Sequence, residues 1–137
     1  MTISKYIIDL LKKNTELEID MDHVQDGSDQ YGLFKSPGRE VKNYNDGSRE
    51  ITEHYQFLAR QATISDTERK EADEWLEDLT YWVDDRAMDY DFPKLDGGRN
   101  VSGLSVTGCP YPMESKDDET LYQLSLSITY IREREVD

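Results

Sequence analysis

Hydrophobic positions recur along the chain in two rhythms, and the switch between them marks out the elements. From Ser65 to Ala87, the apolar residues Ala72, Trp75, Leu76, Leu79, Trp82 and Val83 fall at i, i+3, i+4 and i+7, the spacing of one helix face. Ser65-Asp66-Thr67-Glu68 opens this helix as a capping box, in which serine and glutamate satisfy each other's backbone N–H groups. The opposite face carries Glu71, Glu74, Glu77, Asp78 and Asp85. A helix so divided is predicted to lie across a sheet, with both tryptophans in the core. A shorter helix is predicted from Thr2 to Lys13 on Ile3, Ile7, Leu10 and Leu11, with Asn14 as its stop.

Elsewhere the period is two. Leu17, Ile19, Met21 and His23 alternate with Glu18, Asp20 and Asp22, predicting a half-buried strand. Asp26 to Asp29 reads as a turn, and Tyr31 to Lys35 as a brief strand ended by Ser36-Pro37-Gly38. Arg39 to Ala62 reads as one long hairpin reversing at Tyr44-Asn45-Asp46-Gly47, where Asp-Gly supplies the positive φ angles of a tight turn. Its return strand sets Ile51, Tyr55, Phe57 and Ala59 against Thr52, His54, Gln56 and Arg60. Between Arg39 and Glu50 only Val41 and Tyr44 offer anything to bury, so the hairpin is expected to reach past its own core as an arm. Ordering such an arm costs entropy unless something packs on it, which points to a neighbouring subunit. The arm's expected contact residues are Val41, Lys42, Tyr44, Asn45, Asp46, Gly47 and Arg49.

After a loop from Asp89 to Asn100, Val101 to Val106 reads as a strand, with Gly103 and Gly108 as bend sites. Pro110 and Pro112 are expected to break regular pairing, and Ser115 to Glu119 to turn. In the last strand Tyr122, Leu124, Leu126, Ile128 and Tyr130 point one way, and Gln123, Ser125, Ser127 and Thr129 the other. The order predicts one α+β domain over residues 1–137. It would have a single, mostly antiparallel sheet with a long hairpin arm, packed by two helices on one face.

Charge narrows the function. Acids outnumber bases 30 to 16, for a net charge of −14, which opposes tight nucleic-acid binding because that needs clustered Lys and Arg. The lone Cys109 excludes an internal disulfide and a multi-cysteine zinc site. No apolar run reaches the ~20 residues of a membrane span, and the start of the chain lacks a signal peptide's apolar stretch, so a cytoplasmic origin is expected.

His23 and His54 lie in separate predicted strands, Asp20-Met21-Asp22 alone is a weak metal signal, and Asp89-Tyr90-Asp91 fails the spacing of a calcium loop. Cys109 has no basic neighbour to activate it, and no phosphate loop or serine elbow is present. An enzyme is not expected, and no cofactor or metal is implied. Asp84 and Asp85 stand near the end of the long helix where the dipole disfavours anions. With Asp89 and Asp91 they form the expected acidic face.

The leading helix, the hairpin running into Glu53-His-Tyr-Gln-Phe-Leu-Ala-Arg60, the acidic tryptophan-bearing helix and the closing strand Tyr122-Gln-Leu-Ser-Leu-Ser-Ile-Thr-Tyr130 occur in this order. Together they resemble the small minor capsid or tail-terminator-like proteins of long-tailed phages and prophages of Gram-positive bacteria. The resemblance covers nearly the whole chain but carries no invariant motif. It implies a ring, hexameric and built from identical copies, that caps the tail tube and joins it to the head. Implied partners are further copies, the tail tube protein and the head–tail connector, with the virion as location and the host cytoplasm during assembly. The acids would line a lumen that lets DNA pass without sticking. The alternative is an acidic inhibitor that imitates DNA and occupies a host nuclease or defence protein.

Overall fold

The computed structural model describes residues 1–89 and 95–133. Helix α1 (Ile3–Thr15) is followed by β1 (Ile19–Met21), β2 (Gln30–Asn43), β3 (Arg49–Ala62), α2 (Asp66–Asp89), β4 (Arg99–Val106), β5 (Tyr111–Ser115) and β6 (Glu119–Arg132). The strands form one sheet in the order β1-β2-β3-β6-β4, with β5 pairing the remaining length of β6. All pairs are antiparallel except β1 with β2. The expected class is therefore the observed one: an α+β fold with a six-stranded, mostly antiparallel sheet and two helices packed against it.

Both helices cover the same face. Alternation sends Ile51, Tyr55, Phe57 and Ala59 of β3 and Leu124, Leu126, Ile128 and Tyr130 of β6 inward, where they meet Ile7 and Leu11 of α1 and Leu79 and Val83 of α2 in one buried cluster. Trp75 and Trp82 pack on its border, half-buried. Trp75 closes on Tyr31 at 5.5 Å between ring centroids, and Tyr31 stacks on Phe57 at 5.9 Å. The other face of the sheet is mostly polar, carrying Thr52, His54, Gln56, Ser125 and Thr129, with Leu58 and Leu121 buried toward the end where the loop after β1 crosses it.

The caps explain where the helices begin and end. Ser65 Oγ accepts the Glu68 N–H at 3.1 Å, and Glu68 Oε1 accepts the Ser65 N–H at 3.2 Å, closing the predicted box. Thr2 caps α1, accepting the Lys5 N–H. This helix runs past Asn14 and stops at Glu16, which adopts left-handed φ of 59° and returns its N–H to Lys12.

Three expectations fail locally. Ser36-Pro37-Gly38 does not end a strand: β2 runs through it, absorbing the irregularity as a bulge between Lys35 and Arg39. Pro112 does not end the pairing: it sits within β5 opposite Tyr122, on a short edge strand where a missing N–H is tolerated, and the register shifts only between it and Glu114. His23 falls outside β1, because Asp22 turns to a φ of 54° and ends the strand at Met21. Gly103, by contrast, flanks a bulge in β4, as predicted.

Burial also fixes how the fold meets high pH. Tyr6 and Tyr55, 4% and 1% exposed, are each pushed up to about 12, mainly because the interior disfavours their phenolates. In the unfolded chain the same groups ionise near 10. Their contribution is therefore complete below pH ~10 and is lost as pH rises through the folded value near 12. We expect an ultraviolet titration to show these tyrosines ionising only with a cooperative unfolding step above pH ~10. Titration of every tyrosine near pH ~10, with the far-ultraviolet circular dichroism intact, is the contrary result.

Candidate assembly surface

The far end of the β2–β3 hairpin is built locally and ordered by its own polar groups. Gly47 takes the φ of 90° that the reversal needs. The Tyr44 N–H donates to the Ser48 carbonyl, and the Gly47 N–H to the Tyr44 carbonyl, each at 3.0 Å. Asp46 Oδ1 accepts both the Ser48 N–H at 2.9 Å and its hydroxyl at 2.6 Å. Those bonds hold the Asp46 carboxyl below its usual value. Tyr44 donates its hydroxyl to Glu50 at 3.0 Å, which raises the phenol, and Lys42 Nζ lies 5.5 Å from the Tyr44 ring centre. Val41, Lys42, Tyr44, Asn45, Asp46, Gly47 and Arg49 are all exposed, Val41 and Tyr44 at 41% and 39%. Two large apolar side chains thus stand in water on a tip already rigid.

The return strand is not a free ribbon. β3 is paired with β6 along its whole length, to Arg49 opposite Arg132. The exposed parts are the turn and the outer margin of β2. β1 shields β2 only at Tyr31 to Leu33, so from Phe34 to Asn43 the outer backbone edge meets no strand among the described residues. The bulge and Pro37 interrupt that edge, leaving Arg39 to Asn43 as the regular length open to another chain. It is fixed from behind: on the open face, His54 bonds Ser127 through Nδ1 at 2.7 Å and Glu40 through Nε2 at 3.2 Å, and Thr52 meets Thr129 at 3.0 Å. Three strands are tied together behind the margin.

The acids occupy the outer face of α2. Glu71, Asp73, Glu74, Glu77, Asp78 and Asp85 are exposed and Asp84 is half-buried. Beyond the pairs of Asp66 with Arg69 and Lys70, no α2 acid forms an ion pair with a described residue. Tyr81, 56% exposed, stands among them and donates its hydroxyl to Glu77 at 2.7 Å. The side chain of Asp89, and all of Asp91, lie outside the described residues. Cys109 is exposed beside Asp73, Glu77, Thr80 and Tyr81, a hollow to which neither histidine contributes. No group of three or more metal-binding side chains converges among the described residues, and no helix there is long and apolar enough to cross a membrane.

One cluster escaped the sequence. Arg39, Arg99 and Arg132 converge around Ile51 and Tyr130 at the far end of the helix-covered face. Register aligns Arg49, Arg132 and Arg99 side by side across β3, β6 and β4. Arginines so distant in sequence reveal a shared site only once the strand register is known. Protein-family models and curated proteins alike give no match to this chain.

Proposed function

We propose that the chain is a structural virion protein of a long-tailed phage or prophage. Its copies would form a ring at the head-proximal end of the tail tube, ending tube growth and joining tail to head. The observation that carries this is the hairpin's far end: a rigid, exposed tip continuous with an unshielded β2 margin from Phe34 to Asn43. Head-to-tail copies need two unlike surfaces, and the margin supplies one of them. Added support comes from Asp73, Glu77 and Asp84, a line along α2 that forms no ion pair with a described residue, because a negative wall repels DNA phosphates and leaves a passing duplex unbound. The mechanism is geometric. The ring occupies the growing end of the tube and presents its other side to the connector.

The test keeps the core of the sheet and removes only the last two pairs of β3 with β6. Replacing Lys42–Glu50 by Asn-Gly closes the hairpin at the Val41–Ile51 pair and retains the buried Ile51. In sedimentation and negative-stain microscopy, we expect the unaltered protein to form rings, alone or with tail tube protein, and the shortened protein to stay monomeric with unchanged circular dichroism. Unaltered protein that remains monomeric at high concentration, with and without tube protein, removes the basis of the proposal. The unpaired α2 acids also suit a DNA-imitating inhibitor. Such an inhibitor would keep its target binding after the hairpin is shortened.

A further inference from the structure

The arginine cluster is at odds with the rest of the molecule. In a chain of net charge −14, Arg39, Arg49, Arg99 and Arg132 gather at one end of the sheet. Like charges directly opposite one another across strands oppose folding, and here three guanidiniums stand in a row. Among the described residues only Arg99 is answered, by Asp96, which also holds the N-terminal ammonium at 2.9 Å. The nearby Glu53 and Glu133 are engaged elsewhere, taking the Tyr130 hydroxyl and the Asn100 amide. Arg39, Arg49 and Arg132 form no ion pair with a described residue. Ile51 and Tyr130 beneath them are buried in the core, so the surface presented to a partner is the guanidiniums themselves, and arginine is enriched at interfaces.

The same chain carries the complementary surface. Glu74, Asp78, Tyr81 and Asp85 are exposed at i, i+4, i+7 and i+11 on α2, one line along a helix. That line is about 16 Å long at ~1.5 Å per residue. The arginine row spans about 10 Å, two strand spacings of ~4.8 Å. Acids spaced along the line can therefore meet neighbouring guanidiniums, and Tyr81 offers a ring face to one of them.

We propose that the arginine-bearing end of the sheet docks on the acidic α2 stripe of a second copy, forming the head-to-tail contact between subunits. This rests on the self-association proposed above and names the surfaces that carry it. The two surfaces lie on different elements, so each copy offers one to each neighbour and the contact repeats until the ring closes.

A charge-swap experiment tests it. R49E/R132E reverses one surface and E74K/D78K the other, both at exposed or edge positions, with folding checked by circular dichroism. R49Q/R132Q replaces the first variant if that one does not fold. Alone, each variant is expected to need at least tenfold more protein than the unaltered chain to assemble. An equal mixture of the two reversed variants should regain assembly as alternating rings, because each reversed surface then meets its complement. Raising the salt should weaken assembly of the unaltered chain.

Variants that assemble normally, or a mixture that stays dispersed while the unaltered chain forms rings, overturn these surfaces but leave self-association standing. An unaltered chain that never self-associates overturns both. Binding of double-stranded DNA that R49E/R132E abolishes, with self-association unmoved, overturns the proposal in favour of a phosphate partner.

Discussion

Gly32→Ala costs about 3 kcal/mol or more, although it adds a single methyl group. Gly32 is buried in β2 opposite Leu58, and its missing side chain is where the loop after β1 crosses the open face of the sheet. A Cβ there would run into the His23 carbonyl oxygen and the Val24 side chain. The carbonyl belongs to the backbone, so relief requires moving the loop itself, not turning a side chain. Gly32 does not take the left-handed φ that only glycine tolerates well, so the whole penalty is steric. Gly38 in the same strand is the control, since a Cβ added there meets nothing within 4 Å. Gly38→Ala is expected to be neutral or to stabilise by a few tenths of a kcal/mol up to ~1. Thermal unfolding of the pair decides the matter. Equal midpoints for the two variants would mean that the loop does not pack on Gly32.

Phe57→Ala is the second large loss, about 3–5 kcal/mol, or roughly 10–20 °C in Tm for a domain of this size. Phe57 is 1% exposed at the centre of β3. Its ring stacks on Tyr31 and lies 6.5 Å from Trp75, so truncation opens a cavity where α2 meets the sheet. Tyr31 and Trp75 are only half-buried at its border, and each loses a ring contact worth about 0.5–1.5 kcal/mol. Denaturant titration measures the loss directly. A change under ~1 kcal/mol would show that the aromatic cluster does not hold α2 in place.

How far the fold could be read in advance follows from where its information lies. α2 was legible because its cap, apolar stripe and acidic face are all local, and β3 and β6 because both alternate cleanly between a buried and a polar face. The β2–β3 turn announced itself through Asp46-Gly47. By contrast, Ser36-Pro37-Gly38 carries every local sign of a break. Yet β2 crosses it because pairing with β3 resumes at Arg39 opposite Glu53, and tertiary pairing outweighs local preference. β5 was hidden for the same reason: Tyr111 to Ser115 follows one proline, contains another and has no buried residue, and only the free end of β6 makes it a strand. The assembly surface divides likewise. The exposed tip was visible as a stretch with little to bury, whereas the arginine row exists only through the register of three strands.

The register also sets the order in which the chain can be built. The two innermost strands, β3 and β6, meet across contacts separated by 77 residues, as at Thr52 and Thr129. Before β6 emerges from the ribosome, the nascent β3 has a bare edge, and α1 and α2 have only part of the sheet to pack on. Long-range closure of this kind is slow and leaves sticky intermediates. Chains terminated before Glu119 should therefore collect as aggregates during translation, and overexpression should benefit from cooler growth and from chaperones that hold hairpins apart.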